Sequence, residues 1–145
     1  MHFDTAHFGQ LEVQDHSVIT FEDGLPGFEN NKAFVILNNY DTDEPVPFMW
    51  LQSVEDTNLA LVLTIPYFAR PDYAFDIPEE VVKKLSANVP EDLGVYAVVN
   101  IQDQLSDMTI NLASPILVST KTRKAIQWTL EDNLYSVREP YANGN

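Results

Sequence analysis

Residues 48–65 have the sequence FMWLQSVEDTNLALVLTI, and this stretch decides the fold class of the chain. Its first part, Phe48–Ser53, and its last, residues 59–65, are short apolar runs typical of strands. The polar residues 55–58 between them indicate a tight connection. Residues 59–63 are almost continuously apolar, as expected for a strand that is buried on both faces. The stretch therefore predicts a β-hairpin whose second strand is deeply buried.

Strand signals continue on both sides of this hairpin, as β-branched and aromatic residues in short runs separated by Gly, Pro, Asn and Asp. The predicted strands are residues 9–13, 18–21, 33–37, 48–53, 59–65, 73–77, 95–101, 109–113, 116–119 and 125–130. So many short strands are typical of a closed or nearly closed barrel, or of a sandwich. We expect a mainly β protein, a small antiparallel β-barrel-like domain with one short helix.

The predicted helix covers residues 78–85. Pro78 and two glutamates lie in its first turn and two lysines in its last, which is the arrangement that the helix dipole favours. Its apolar residues form one stripe that can pack against the sheet, namely Val81, Val82 and Leu85.

The organisation of the rest of the chain is simple. We find no internal repeat, and residues 1–140 are predicted to form a single domain, followed by a flexible tail at 141–145. Residues 22–27, with two glycines and a proline, and the polar stretch 38–47 are predicted loops. Residues 121–123 are predicted to connect a hairpin.

The chain is strongly acidic. It contains 22 Asp and Glu against 8 Lys and Arg, a formal net charge of −14, and residues 1–60 carry one basic side chain, Lys32. Such a charge repels phosphate backbones and anionic lipids and favours basic partners, although solubility is an alternative reason for it. We find no signal peptide and no apolar run of membrane-spanning length, so we expect a cytoplasmic protein. The absence of cysteine excludes disulfides and thiolate chemistry.

The search for catalytic and metal-binding patterns finds none. His2, His7 and His16 do not have the spacing of metal ligands. Asp15, His16 and Ser17 are consecutive in a predicted turn, whereas a catalytic triad is assembled in space from separated positions. The acidic pairs lie in predicted loops or in a first helical turn, where solvation and the helix dipole explain them. We therefore predict a protein that is not an enzyme and that uses no cofactor or metal.

Two segments could be considered as phosphate sites. Residues 24–27 lack the Lys-Ser/Thr pair of a phosphate-binding loop. Lys121, Arg123 and Lys124 are three positive charges in a very acidic chain, and a solvated hairpin tip explains them better than nucleic-acid binding. We expect no direct binding of nucleic acid.

Recognition of other proteins is the function that remains. Tyr67 and Phe68 are confined to a predicted loop by Pro66 and Pro71, and large apolar side chains on loops often anchor partners. With their acidic and aromatic neighbours and the glycine-proline loop, the candidate partner-binding residues are Phe28, Glu29, Tyr67, Phe68, Asp72 and Tyr73.

A series of motifs occurs in order between residues 8 and 140, and the chain resembles the FliW family of flagellar assembly factors on these motifs. They are GLPGFE at 24–29, FVIL at 34–37, PFMWLQS at 47–53, the segment from Pro66 to Tyr73, MTINLASPI at 108–116 and KTRK at 121–124. The first and third are the most specific. Two positions depart from the family pattern: Ala125 stands where glycine is usual, and Asn-Leu is followed by Ala113, Ser114 and Pro115.

The resemblance implies a β-barrel-like fold and a non-enzymatic cytoplasmic function in flagellated bacteria. FliW-like proteins bind flagellin, and they also bind the RNA-binding translational repressor CsrA and relieve its block on flagellin synthesis. A repressor that holds RNA is basic, in agreement with an acidic binder. The acidic surface could mimic RNA or could bind beside the RNA site; the resemblance implies the second mechanism.

Two alternatives to this partner switch remain open. One is a β-barrel enzyme or small-ligand binder that uses loop carboxylates, for which convergent carboxyl groups of raised pKa would be expected. The other is a chaperone for flagellin that has no part in translation.

Overall fold

The computed structural model describes residues 2–6, 9–14, 17–37, 48–100, 107–131 and 134–140. The strands in this part of the chain are β1 (His2–Thr5), β2 (Gly9–Glu12), β3 (Ile19–Phe21), β4 (Ala33–Leu37), β5 (Phe48–Ser53), β6 (Ala60–Thr64), β7 (Leu93–Asn100), β8 (Thr109–Ile110), β9 (Ile116–Ser119), β10 (Lys124–Gln127) and β11 (Glu139–Pro140). The helices are α1 (Pro66–Ala69) and α2 (Glu79–Lys84), and a 3₁₀ turn covers Pro90–Asp92.

Seven strands form a closed barrel in the order β7-β6-β5-β4-β3-β10-β9, and β9 pairs with β7 to complete the ring. All neighbours in the ring are antiparallel except β3 and β10, which are parallel. A closed ring with an odd number of strands must contain a parallel pair, since strand direction cannot alternate throughout. The predicted barrel is thus confirmed, with one parallel exception to its antiparallel pairing. Closure also removes the free edges that a sheet of short strands would expose.

The interior of the barrel is apolar. Phe21 and Phe34 meet edge to face, with ring centroids 5.4 Å apart. In β9, alternate residues Ile116 and Val118 face this interior, while Leu117 between them faces outward. The buried interior residues are Ile19, Phe21, Leu25, Phe34, Met49, Leu51, Leu63, Ile116, Val118 and Ala125.

Two further apolar clusters cover the outside of the barrel. In the first, Val81 and Val82 of α2 and its C-cap residue Leu85 pack on Leu93 and Leu117, so the predicted apolar stripe is the face by which the helix docks. The second cluster joins outward-facing residues of β7 and β8 to the chain that follows β6. Its buried members are Tyr73, Ala97, Val99, Met108, Ile110 and Leu112.

The predicted strand bounds agree with the structure at 33–37, 48–53 and 116–119, and the predicted hairpin at 48–65 is confirmed as β5 and β6. The predicted strand at 73–77 is wrong. Tyr73, Phe75 and Ile77 do alternate toward the barrel, but this extended segment is not assigned as a strand in either sheet. The alternation of apolar side chains in this segment reflects packing against the barrel and not pairing with another strand.

Two other predictions need correction. The strand predicted at 109–113 ends at Ile110, because the Asn111 side chain accepts hydrogen bonds from the backbone N–H groups of Ala113 and Ser114 and turns the chain. Residues 66–69, predicted as loop, form the one-turn helix α1. The predicted loop at 38–47 and the predicted tail at 141–145 lie outside the described residues.

Candidate partner-binding site

The helix α1 presents two aromatic side chains to solvent. Pro66 begins the helix, where its fixed φ is favourable, and the N–H of Arg70 closes the turn on the Pro66 carbonyl at 2.9 Å. Pro71 prevents the helix from continuing. The exposed fraction of Tyr67 is 40% and that of Phe68 is 59%. A short helix held at both ends by proline thus keeps large apolar side chains outside the core.

Tyr73 lies beneath this surface, with only 2% of its area exposed. Its hydroxyl donates a 2.7 Å hydrogen bond to the Leu112 carbonyl, and its ring lies 5.8 Å from that of Tyr67 and 4.6 Å from that of Tyr135. Burial raises the pKa of the Tyr73 hydroxyl, so the group stays neutral. A partner cannot touch Tyr73 directly; its place in the predicted site is as the support on which Tyr67 rests.

Arg70 connects α1 to the end of the chain. Its Nε lies 3.2 Å from Oδ1 of Asp72, its Nη1 lies 3.2 Å from Oε1 of Glu139, and the guanidinium stands 5.7 Å from the centre of the Tyr135 ring. The hydrogen bond from Arg70 holds the pKa of the Asp72 carboxyl below its usual range. Asp72 therefore stays ionised and paired with Arg70, four residues after Phe68 in the chain, and its side chain is 77% exposed.

Phe28 and Glu29 lie in the loop that joins β3 to β4. Gly24 and Gly27 have φ values of +80° and +87°, in the region that favours glycine, and the chain between them turns back so that Leu25 is buried while Phe28 is 43% exposed. The Glu29 carboxylate accepts a hydrogen bond of 2.9 Å from the Gly27 N–H, which lowers the pKa of its carboxyl.

The strand register places these two groups of candidate residues at opposite ends of β5. The loop with Phe28 packs at the Ser53 end, where the Ser53 hydroxyl bonds to Asn31. The helix α1 follows Thr64, which pairs with Phe48 at the other end. Six strand residues span roughly 17 Å. The predicted residues therefore form two separate surfaces rather than one.

Sequence reasoning missed the segment of residues 134–140, which we call the C-terminal strap. Leu134 and Val137 on this strap are 62% and 57% exposed. Arg70, which follows α1, contacts both the Tyr135 ring and the Glu139 carboxylate of the strap. The strap therefore adjoins the α1 surface. Its signal in the sequence was weak: two apolar residues three positions apart in a polar stretch, without a periodic pattern.

The remaining candidate sites give no indication of chemistry. Lys121 lies 3.7 Å from Asp92, Lys124 lies 3.1 Å from Glu22, and Arg123 donates to the Ser17 carbonyl, so each of these charges has a partner within the chain. No group of three possible metal ligands occurs among the described residues. His7, Asp15 and His16 lie outside them. None of the described helices is both long enough and apolar enough to cross a membrane.

The fold and the α1 surface define a small acidic β-barrel protein with an exposed aromatic patch. The profile of the family described as "FliW protein" matches residues 2–141, and the chain belongs to this family.

Named relatives and a solved structure agree with this assignment. The chain is 40% identical to the flagellar assembly factor FliW of Alkaliphilus metalliredigens over 134 residues. This aligned region covers 92% of this chain and 82% of the relative. It is 43% identical to the flagellar assembly factor FliW of Caldicellulosiruptor bescii over 131 residues, and this aligned region covers 90% of this chain and 84% of the relative. A crystal structure of the flagellar assembly factor FliW superposes with a TM-score of 0.87 at 28% identity, over 97% of this chain and 96% of the other.

Proposed function

We propose that this protein is a non-enzymatic, cytoplasmic flagellar assembly factor that binds flagellin and a CsrA-type translational repressor. By binding the repressor it relieves the block on flagellin synthesis, and by binding flagellin it becomes unavailable to the repressor. Residues 1–140 act as one binding domain. The observation that carries this proposal is the exposed aromatic pair Tyr67 and Phe68 on a proline-bounded helix of a FliW-family barrel.

The charge of the chain supports a basic partner. The net charge is −14, and Asp72 is an exposed carboxylate in the turn that follows the helix of the aromatic pair. Opposite charge accelerates the encounter with a basic protein, while exposed aromatic side chains supply contact area that holds the complex.

The carboxyl groups argue against the ligand-binding or enzymatic alternative. A catalytic or ligand-binding cluster of carboxylates is expected to raise the pKa of at least one member. Among the described residues, the carboxyl groups with a clear shift all have a lowered pKa, because each accepts hydrogen bonds from the backbone or from a cation. They are Asp23, Glu29, Glu55 and Asp72.

Titration calorimetry with purified repressor and with purified flagellin tests the proposal. We expect Phe68→Ala to weaken binding of at least one partner about tenfold, since truncation of a central aromatic commonly costs this much. Val89→Ala is the matched control, because Val89 is 46% exposed but lies outside both candidate surfaces. Phe28→Ala tests the surface at the other end of the barrel.

The competition experiment separates the partner switch from a pure chaperone. Saturating flagellin is expected to abolish the heat of repressor binding. A wild-type protein that binds flagellin but not the repressor would leave only the chaperone function, and one that binds neither partner would refute the proposal.

A further inference from the structure

The C-terminal strap is fixed firmly to the barrel. The Tyr135 hydroxyl accepts a hydrogen bond from the N–H of Ala74 and donates one to its carbonyl, both at 3.1 Å. The N–H of Leu112 donates to the Ser136 carbonyl at 3.0 Å, and β11 pairs with β8. With the Arg70–Glu139 ion pair, these contacts hold the strap in one position. Exposed side chains on it are therefore presented by a rigid support.

Apolar exposure is concentrated on the strap and on α1. Six large apolar side chains of the described residues are exposed, and four of them belong to these two adjoining segments. They are Tyr67, Phe68, Leu134 and Val137. Apolar side chains that cluster on the surface in this way mark interaction sites.

An open cleft of about 420 Å³ lies on the strap, and it is also lined by Ala113 and by Arg70, the C-cap residue of α1. Its lining combines the apolar residues Leu134 and Val137 with the polar residues Arg70, Ser136 and Glu139. A second cleft of about 250 Å³ lies on the other side, lined by Phe75, Trp128 and again Leu134. Leu134 thus forms the ridge between two clefts.

The charges around these clefts select the kind of partner. Arg70 is already paired with Asp72 and Glu139. Asp76 and Glu131 line the second cleft, and Glu139 lines the first. In the lining of the two clefts, carboxylates therefore outnumber cations by three to one, which complements a basic segment with apolar side chains.

We infer that the clefts on either side of Leu134 receive bulky apolar side chains from a basic segment of a protein partner. This inference rests on the proposed function and extends its binding surface from α1 to the C-terminal strap, with Leu134 and Val137 as contact residues.

A probe that needs neither flagellin nor the repressor tests the surface itself. Methyl NMR of the full chain is recorded during titration with a synthetic amphipathic peptide of Leu and Lys, and with its counterpart of Leu and Glu. We expect the Leu/Lys peptide to shift the methyl signals of Leu134 and Val137, and the Leu/Glu peptide to leave them unchanged. Equal shifts with both peptides, or shifts confined to other methyl groups, would overturn the inference.

Titrations of the double variant Leu134→Ser/Val137→Ser with flagellin and with repressor then distinguish the inference from the proposed function. Both side chains are exposed, so the variant is expected to fold, and Val89→Ser controls for loss of apolar surface. About tenfold weaker binding of one partner supports the inference. Unchanged binding of both partners overturns it while the proposed function stands. If the wild type binds neither partner, the proposed function fails, and the peptide titration decides the inference.

Discussion

Gly24 is the residue on which the shape of the Phe28 loop depends. Its φ of +80° favours glycine, and a Cβ at this position would collide with the backbone carbonyl of Glu29. Gly27 also has a positive φ, of +87°, but a Cβ there would meet no atom within 4 Å. We predict that Gly24→Ala lowers the free energy of unfolding by about 3 kcal/mol or more, through both strain and overlap. Urea denaturation measures this loss.

The variant Gly27→Ala is the matched control, because it introduces backbone strain without overlap. We expect it to lower the free energy of unfolding by about 1 kcal/mol. Equal losses for the two variants would show that the close approach to Glu29 is not important. The sequence predicted an irregular loop from these glycines, yet it could not distinguish them, because the atom that excludes a side chain at Gly24 belongs to a residue brought back by the turn.

At the scale of one element, the residue that follows the C-cap of α2 is Ser86, which is not ideal for its position. Ser86 has a φ of +54°, its N–H donates to the Lys83 carbonyl, and the N–H of Ala87 donates to the Val82 carbonyl. This hydrogen-bond pattern is the Schellman motif, in which glycine is preferred. We predict that Ser86→Gly raises the free energy of unfolding by about 0.5 kcal/mol, because it removes the left-handed strain. Thermal and urea unfolding measure the gain.

The variant Ser86→Ala separates the two roles of this side chain. It loses the hydrogen bond between the Ser86 hydroxyl and Lys124 Nζ, at 3.2 Å, but keeps a Cβ at positive φ. It should therefore be less stable than the wild type. A destabilised Ser86→Gly would mean that the contact with Lys124 outweighs the strain.

Glu55 connects the β5–β6 turn to the start of β4, because its carboxylate accepts hydrogen bonds from the N–H groups of Lys32 and Ala33. These bonds lower the pKa of the carboxyl. A group with a lowered pKa in the folded state contributes stability above its ordinary pKa and loses it as the pH falls through the folded value. We predict that Glu55→Gln lowers the free energy of unfolding at pH 7. The difference in free energy of unfolding between the variant and the wild type should be smaller near pH 3. A gap that stays constant between these pH values would contradict this account.

The elements also show what sequence patterns can and cannot predict. The β5–β6 hairpin was predictable because its partners are neighbours in sequence. The extended segment after Pro71 was mistaken for a strand because a period of two indicates extended backbone but not a pairing partner. The link from Arg70 to Glu139 joins residues 69 positions apart, so no local pattern could place the C-terminal strap beside Tyr67 and Phe68, although the prolines around that pair did mark it.

At the scale of the whole molecule, the closed barrel keeps two surfaces apart on a rigid support. The strand ladder of β5 separates the Phe28 loop from α1 and the strap, so a single small segment cannot cover both. For the proposed exclusion of one partner by the other, either both partners bind the α1 side or bulk and charge act across the barrel. The electric field of a molecule with a net charge of −14 acts at both surfaces when the salt concentration is low. Charge can then act across the barrel.

The salt dependence of the proposed repressor binding tests how this charge acts. Between 0.1 M and 1 M salt the screening length falls from about 10 Å to about 3 Å, so we predict slower association and weaker binding at high salt. Asp72→Asn and Glu91→Gln each remove one exposed negative charge, but only Asp72 belongs to the turn that follows the helix of the aromatic pair. We expect the first to reduce the salt dependence more than the second in stopped-flow association rates. Equal reductions would assign the effect to the net charge of the molecule, and rates without salt dependence would remove electrostatics from the mechanism.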